Sequence, residues 1–270
     1  MGDAVSRMGA IAAKELAELR AAPAVLAGPM MMLVTAVAVP FLVAIGVPWW
    51  AGESLADAED LAAMARDSAA VVWRPGLGAE AAAQAFLLAQ FVPLLVLVPV
   101  VGAMALVTTS IVDELKGRSL EPLLATPITT LELIAAKAGG AFVVAMTLLA
   151  VGTALFAVAT AVLAAPGVLA TLLSPTAAAL LLGLAPGAAA ATLMLGVVTS
   201  SRAKDARTAQ QFSVLVVLPL VGLFVSRIGD GVSPAAMLTV AVVAWAFTVL
   251  LAIVGVRVFD RERILTRWMQ

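Results

Sequence analysis

The chain has 270 residues, 63% of them hydrophobic and 12% charged, and a net charge of −1. That composition exceeds what a soluble domain can bury and belongs to a protein that crosses a membrane several times. It contains no cysteine, histidine or tyrosine. Disulfides, thiol chemistry, zinc sites and every Ser-His or Cys-His nucleophile system are thereby excluded. The near-neutral charge gives no reason to expect a nucleic-acid partner. The abundance of Ala, Val, Leu and Gly suggests a GC-rich bacterial source.

Residues 1–22 mix both charges and lack a compact apolar core ahead of a cleavage site, so they do not read as a cleaved leader. Wound as a helix, Val5, Met8, Ile11, Ala12, Leu16 and Leu19 share one face, while Arg7, Lys14 and Glu18 share another. Lys14 and Glu18 are spaced for an i,i+4 pair, and Glu15 intrudes on the apolar face. This predicts an amphipathic helix lying in the inner interface and bending into the first span near Pro23, with a plain soluble helix as the other reading.

Six apolar spans follow, each long enough to cross the hydrocarbon: Val25 to Val47, Ala85 to Val112, Ala138 to Ala165, Pro175 to Ser200, Phe212 to Ile228, and Pro234 to Val256. Backbone groups cannot stay unpaired in lipid, and the alternation of a barrel is missing, so the expected fold is an all-α membrane protein forming one transmembrane domain over residues 1–270. With both termini cytoplasmic, the outer side keeps only Arg66, Arg74 and Arg227 of the 16 basic residues. That strong positive-inside bias orients the chain as a multi-pass protein of a bacterial cell membrane. Trp49 and Trp50 close the first span as interfacial anchors do. Residues 51–83 form an acidic outer loop too short for a core of its own, with helical composition from Leu55 to Ala70. The outer connections at Pro166-Gly167 and from Gly229 to Ser233 read as tight turns.

Between the second and third spans lies Asp113 to Lys137, DELKGRSLEPLLATPITTLELIAAK. Gly117 permits a sharp turn. Ser119 can cap a short helix with Glu121 and Pro122 in its first turn and Leu120, Leu123 and Leu124 on an apolar side. Thr126-Pro127 ends it. Thr129 and Glu132 form a capping box for the third span, and the Lys137 stem is long enough to snorkel back to the interface. From the residues alone this is either a well-capped connector or a cytoplasmic helix presented to a partner.

The run from Gly117 to Pro127, with Glu132 and Lys137 beyond it, resembles the signature of type-2 ABC (ABC-2) exporter permeases, roughly E-x-G-T-L-E-x-L-L-x-x-P followed by a Gly-Lys pair. Ala13-Lys14-Glu15-Leu16, leading through a proline into the first span, is similar to that family too, as are the six spans and internal termini. The resemblance implies a coupling helix between spans 2 and 3. Gly117, Ser119, Leu120, Glu121, Leu123, Leu124 and Pro127, with Lys14 and Glu15 in the N-terminal helix, would contact a separate ATP-binding subunit. It also implies a second permease protomer, identical or not, with ATP and Mg bound by the partner and no cofactor or metal held by this chain. Ser119 stands where the family often has Thr, and Ala136 where Gly often precedes the lysine. The chain is too short between Ile228 and Pro234 for the outer re-entrant hairpin common before span six, unless the fifth span is itself kinked at Pro219.

No G-x-x-x-x-G-K-[ST] occurs, so ATP is not bound here in the P-loop manner. The span interiors hold no acidic or basic residue, which disfavours an ion-coupled carrier and an intramembrane enzyme. Gln84 and Gln90, near the outer start of span two, and Thr108, Thr109 and Ser110, near its inner end, are candidates to line a pathway, with interhelical hydrogen bonding as their other use. Prolines 93, 99, 186 and 219 are expected to bend spans two, four and five. The expected function is the permease subunit of an ATP-driven exporter, working as a dimer. The alternative is a non-transporting membrane scaffold that docks a cytoplasmic partner.

Overall fold

The structure, a computed structural model, describes residues 23–68, 76–116, 130–200, 205–225 and 233–258. Among these residues there is helix and no strand. Among the described residues, five helices are long and apolar enough to cross a membrane: α1 (Pro23–Ala51), the body of α3 (Ala79–Lys116), the body of α4 (Thr130–Leu163), α6 (Pro175–Ser200) and the body of α9 (Pro234–Val258). Shorter elements lie between them: α2 (Glu59–Asp67), α5 (Val168–Leu172), α7 (Ala206–Gln211) and α8 (Val214–Val225).

Local chemistry sets many of the ends. Ser174 Oγ accepts from the Ala177 amide and precedes Pro175, whose missing N–H costs nothing in a first turn. Ser233 with Pro234 repeats the device at α9. Asp205 caps α7 through the Thr208 amide at 2.7 Å. Gly52, at φ 70°, ends α1 in the left-handed conformation that glycine adopts freely. Two spans carry π-helical turns, Leu42–Gly46 in α1 and Ala179–Leu184 in α6, each just before a proline (Pro48 and Pro186). The wider turn accommodates a ring that cannot donate into an α-helical ladder.

Helices α3 and α6 form the centre, with 72% and 67% of their apolar windows buried, against 28% for α1, 33% for α4 and 11% for α9. One core cluster joins Leu33 and Phe41 of α1 to Leu88, Leu95 and Val96 of α3 and Leu180 and Leu184 of α6. A second joins Leu106, Val107 and Ile111 of α3 to Leu193 and Val197 of α6 and Ala141 and Ala145 of α4. Gly196 lets α6 meet α3 closely, since a Cβ there would overlap the Val107 side chain. Gly187 likewise receives the Trp245 ring of α9, which lies 3.1 Å from where its Cβ would be. Small residues bring helices together where lipid supplies no hydrophobic drive.

The bundle therefore has two ends. Trp49, Glu80, Ala165, Pro175 and Pro234 stand at one, here the Trp49 end. Ile111, Lys137, Val197 and Gly255 stand at the other, the Lys137 end. Gly183 faces Leu238 and Ala241, and Gly255 faces Val197 and Val198, so α6 and α9 run parallel, both from the Trp49 end to the Lys137 end. The chain between them must return from one end to the other.

The sequence reading and the structure differ in several particulars. The second span's helix starts at Ala79 and continues to Lys116, beyond the limits expected at both ends. Pro93 and Pro99 sit inside it without interrupting it. The fifth expected span, Phe212 to Ile228, appears among the described residues as the 12-residue α8. That spans about 18 Å, short of the roughly 30 Å of hydrocarbon. The connection at Pro166-Gly167 is a turn followed by α5, and the described part of the 51–83 loop holds the 3-10 turn Leu55–Asp57 and α2. The N-terminal helix and the Gly117–Pro127 motif lie outside the described residues.

Candidate functional site

At the Trp49 end three segments converge on one carboxylate. Glu80, in the first turn of α3, accepts at Oε2 from Ser54 Oγ at 2.7 Å and from the Ala56 amide at 3.2 Å. Its Oε1 accepts from Gln84 Nε2 at 3.0 Å, one turn along. Gln84 in turn accepts, at Oε1, from the Ala165 amide at 2.8 Å. A relay of side chains thus joins the loop after α1, the head of α3 and the end of α4. Gln84 is buried, and both ends of its amide are engaged in this relay. Alongside, α2 rests its fully buried Ala65 against Ala82 and Phe86 of α3.

Toward the Lys137 end the threonines of α3 are satisfied within their own helix. Thr108 Oγ1 donates to the Met104 carbonyl at 2.7 Å, and Thr109 Oγ1 to the Ala105 carbonyl at 2.7 Å. Thr108 is fully buried and Thr109 partly so. Among the residues whose other reading is interhelical bonding, Gln84 reaches the Ala165 amide and Ser110 accepts from Lys137 of α4. Gln90 is partly buried on α3. Two apolar grooves open on the bundle's flank. One, of about 590 Å³, lies between α4 and α6 beside the π-helical turn and is lined by Met146, Thr153, Ala157, Leu181 and Pro186 among others. The other, of about 500 Å³, lies between α1 and α4 around Phe41, Trp49 and Leu163.

The Lys137 end holds an arrangement that spacing alone did not reveal. Lys137 does not snorkel to the interface: it is 5% exposed, and its Nζ donates to Ser110 Oγ of α3 at 2.8 Å. The reason is local packing. This part of α4 packs on α3 through the cluster that joins Ala141 and Ala145 to Leu106 and Ile111, and the Lys137 stem runs across that contact to Ser110. A lysine flanked by alanines and a serine near the end of the preceding span were the available signals. Neither specifies a pairing across 27 residues. Of the expected coupling residues, Lys14, Glu15, Gly117, Ser119, Leu120, Glu121, Leu123, Leu124 and Pro127 lie outside the described residues. In the chain, α3 ends at Lys116 and α4 begins at Thr130, on either side of residues 117–129.

Several long apolar helices around a buried central pair, with exposed Met, Val, Leu and Trp on the outer helices, define a multi-pass helical membrane protein. The family model for ABC-2 family transporter proteins matches residues 9–243. The chain belongs to that family, and so is a membrane permease subunit of an ABC transporter, a class that transports rather than catalyses and associates with an ATP-binding subunit. No curated protein matches the sequence.

Proposed function

We propose that this chain is the membrane-spanning half of an ATP-driven exporter in a bacterial cell membrane. Two protomers, identical or not, would assemble with two ATP-binding subunits that carry the ATP and Mg. The observation that carries the reading is the shape of α3 and α4. With 38 and 34 residues they are longer than a bilayer needs. The charges Asp113, Glu114 and Lys116 close α3 and Glu132 opens α4, and charges there belong in water, which supports a Gly117–Pro127 motif lying clear of the lipid. A helix presented there, with Leu120, Leu123 and Leu124 on one side and Glu121 in its first turn, offers an apolar ridge and a charge to a soluble partner.

The parallel run of α6 and α9 supports a sixth crossing through α8 and the residues after it, with both termini on the cytoplasmic side. Closure of the ATPase pair would push on Ser119 to Pro127 and on the N-terminal helix with Lys14 and Glu15. The spans would then tilt, opening a path between protomers along which Gln90 and the flank grooves lie.

Co-purification of the tagged chain in mild detergent, with mass spectrometry, tests this. A stoichiometric P-loop ATPase is expected, lost on Glu121→Arg or Leu124→Asp while membrane insertion persists. Recovery with partners that bind no nucleotide would overturn it and favour a scaffold.

A further inference from the structure

We propose that the groove between α4 and α6 is a binding site for one acyl chain of a phospholipid in the leaflet at the Trp49 end. The site reads the shape of a chain and not the charge of a headgroup. It stands whether or not the protein works as an exporter.

The groove exists because α4 and α6 separate along their length. Toward the Lys137 end they meet, with Ala141 and Ala145 in one cluster with Ala189 and Leu193. Toward the Trp49 end α4 leans the other way. Gly152 lies against Leu33 of α1 and Leu95 of α3, and the Phe156 ring packs on Phe41 of α1 with centroids 5.1 Å apart. The adjoining face of α4, with Ala150, Ala154 and Ala157 at helical spacing, forms one wall of the groove. Ala178 of α6, with Leu181 and Leu182 from its π-helical turn, forms the other. Small residues in a membrane helix ordinarily admit a neighbouring helix. Here Ala150, Ala154 and Ala178 are exposed, and the space between the walls stays open. In a bilayer such a space fills with something apolar and slender.

The dimensions choose the occupant. The lining runs over residues 146–157 of α4, about 16 Å of helix rise, and over residues 174–186 at the head of α6, about 18 Å. Each is roughly half of the about 30 Å of hydrocarbon. The groove therefore reaches from the boundary at the head of α6 to about the mid-plane, the depth of one leaflet. Spread over that length, its volume of about 590 Å³ averages about 7 Å across. A helix with its side chains is about 10–12 Å wide and does not seat there. The floor, roughly 16 by 7 Å, is also a small fraction of the about 800 Å² per partner that a stable subunit contact buries. An extended hydrocarbon chain meets both limits.

The chemistry of the lining agrees. Among the described residues its polar side chains are Thr153 and Ser174, and no acidic or basic residue borders it. Ser174 Oγ already caps α6 by accepting from the Ala177 amide. The rim continues into lipid-facing surface, with Val151, Leu155 and Val158 exposed on α4 and Leu173 and Leu182 exposed across from them. A chain can therefore enter sideways from the bilayer without crossing water. With no charge at its mouth, the groove does not distinguish a zwitterionic headgroup from an anionic one. Its two walls set it apart from an open helix face such as that of Val242 and Val243 on α9, which lipid merely coats.

The test places the full chain in nanodiscs with a rising proportion of a phospholipid that carries a photoreactive diazirine at the end of one chain. Labelled peptides are read by mass spectrometry. Labelling of residues 146–157 and 181–186 is expected to saturate at a low probe fraction. Labelling around Val242 and Val243 is expected to rise in proportion to the probe, as contact with bulk lipid does. Ala154→Phe, which fills the groove from an exposed position, should abolish the saturable labelling. Thr153→Val, which keeps the shape and removes the hydroxyl, should leave it intact, and zwitterionic and anionic probes should give the same curve. Should Ala154→Phe fail to insert, Ala178→Leu on the opposite wall decides. Proportional labelling in the groove would overturn the site. Groove residues that stay unlabelled at every probe fraction would overturn it too, in favour of a second copy or another part of this chain. Loss of the saturable labelling in Thr153→Val, or a curve that depends on the headgroup, would replace the acyl chain with a polar ligand.

Discussion

Helices α3 and α9 have nearly the same mean hydropathy, 2.5 and 2.6, yet 72% of one window and 11% of the other is buried. Hydropathy measures transfer into hydrocarbon, and lipid and protein interior are equally good hydrocarbon. It therefore says that a helix crosses and nothing about where it sits. What separates the two is texture. Helix α3 carries polar groups that need partners, Glu80 and Gln84 at one end and Ser110 at the other, and it meets neighbours on every side. Helix α9 turns Leu238, Val242, Val243, Val249, Leu250 and Ile253 outward and touches α6 along one edge, where Gly183 and Gly187 admit Ala241 and Trp245.

Substitutions can break or sharpen this contrast, and thermal unfolding in nanodiscs, followed by tryptophan fluorescence, ranks them. Gly196→Leu should be the most damaging. It forces a side chain into Val107 at the closest α3–α6 approach, and overpacking of this kind costs about 3 kcal/mol or more. We expect loss of monodisperse protein, and a normal melting temperature would show that α6 can move away from α3. Leu88→Ala, at a fully buried site on α3, leaves a cavity and should cost about 2 kcal/mol, the low end for such changes because lipid-exposed unfolded segments pay no water penalty.

Glu80→Ala removes the acceptor of three hydrogen bonds at the head of α3. Partial exposure discounts the charge, so about 1 kcal/mol is expected, with faster hydrogen exchange at Ala56. Glu80→Gln should recover part of it, and equal effects of the two would mean that the carboxylate geometry is irrelevant. Leu250→Ala, on the outward face of α9, should change stability by less than about 0.5 kcal/mol. A larger loss there would mean that α9 is covered by protein in the assembled state, and the same variant examined by size in detergent would then report dissociation.

Much of the fold was legible along the chain. The expected fourth span, Pro175 to Ser200, coincides with α6, and Ser233-Pro234 marks the start of α9 because the residues that cap a helix are the same in lipid as in water. The π-helical turns were not legible. Prolines 48 and 186 signal strain in a ladder but do not say whether the helix kinks, breaks or widens, since neighbouring packing chooses among them. The expected coupling motif, Gly117 to Pro127, lies outside the described residues, and the pairings at the two ends of the bundle were not legible in the sequence. Gln84 reaching Ala165 and Lys137 reaching Ser110 join residues separated by 81 and 27 positions.

Composition and periodicity alone thus sufficed to establish helices in lipid, because an unpaired backbone group in hydrocarbon is too costly for any other arrangement without barrel alternation. The resemblance to the ABC-2 family rested on something else, a contiguous run of residues from Gly117 to Pro127. The central place of α3 and α6, the parallel course of α6 and α9, and the buried partner of Lys137 came from the packed structure. Each depends on which faces meet, and helices of near-equal apolarity leave that choice to small residues and polar pairs whose partners lie far along the chain.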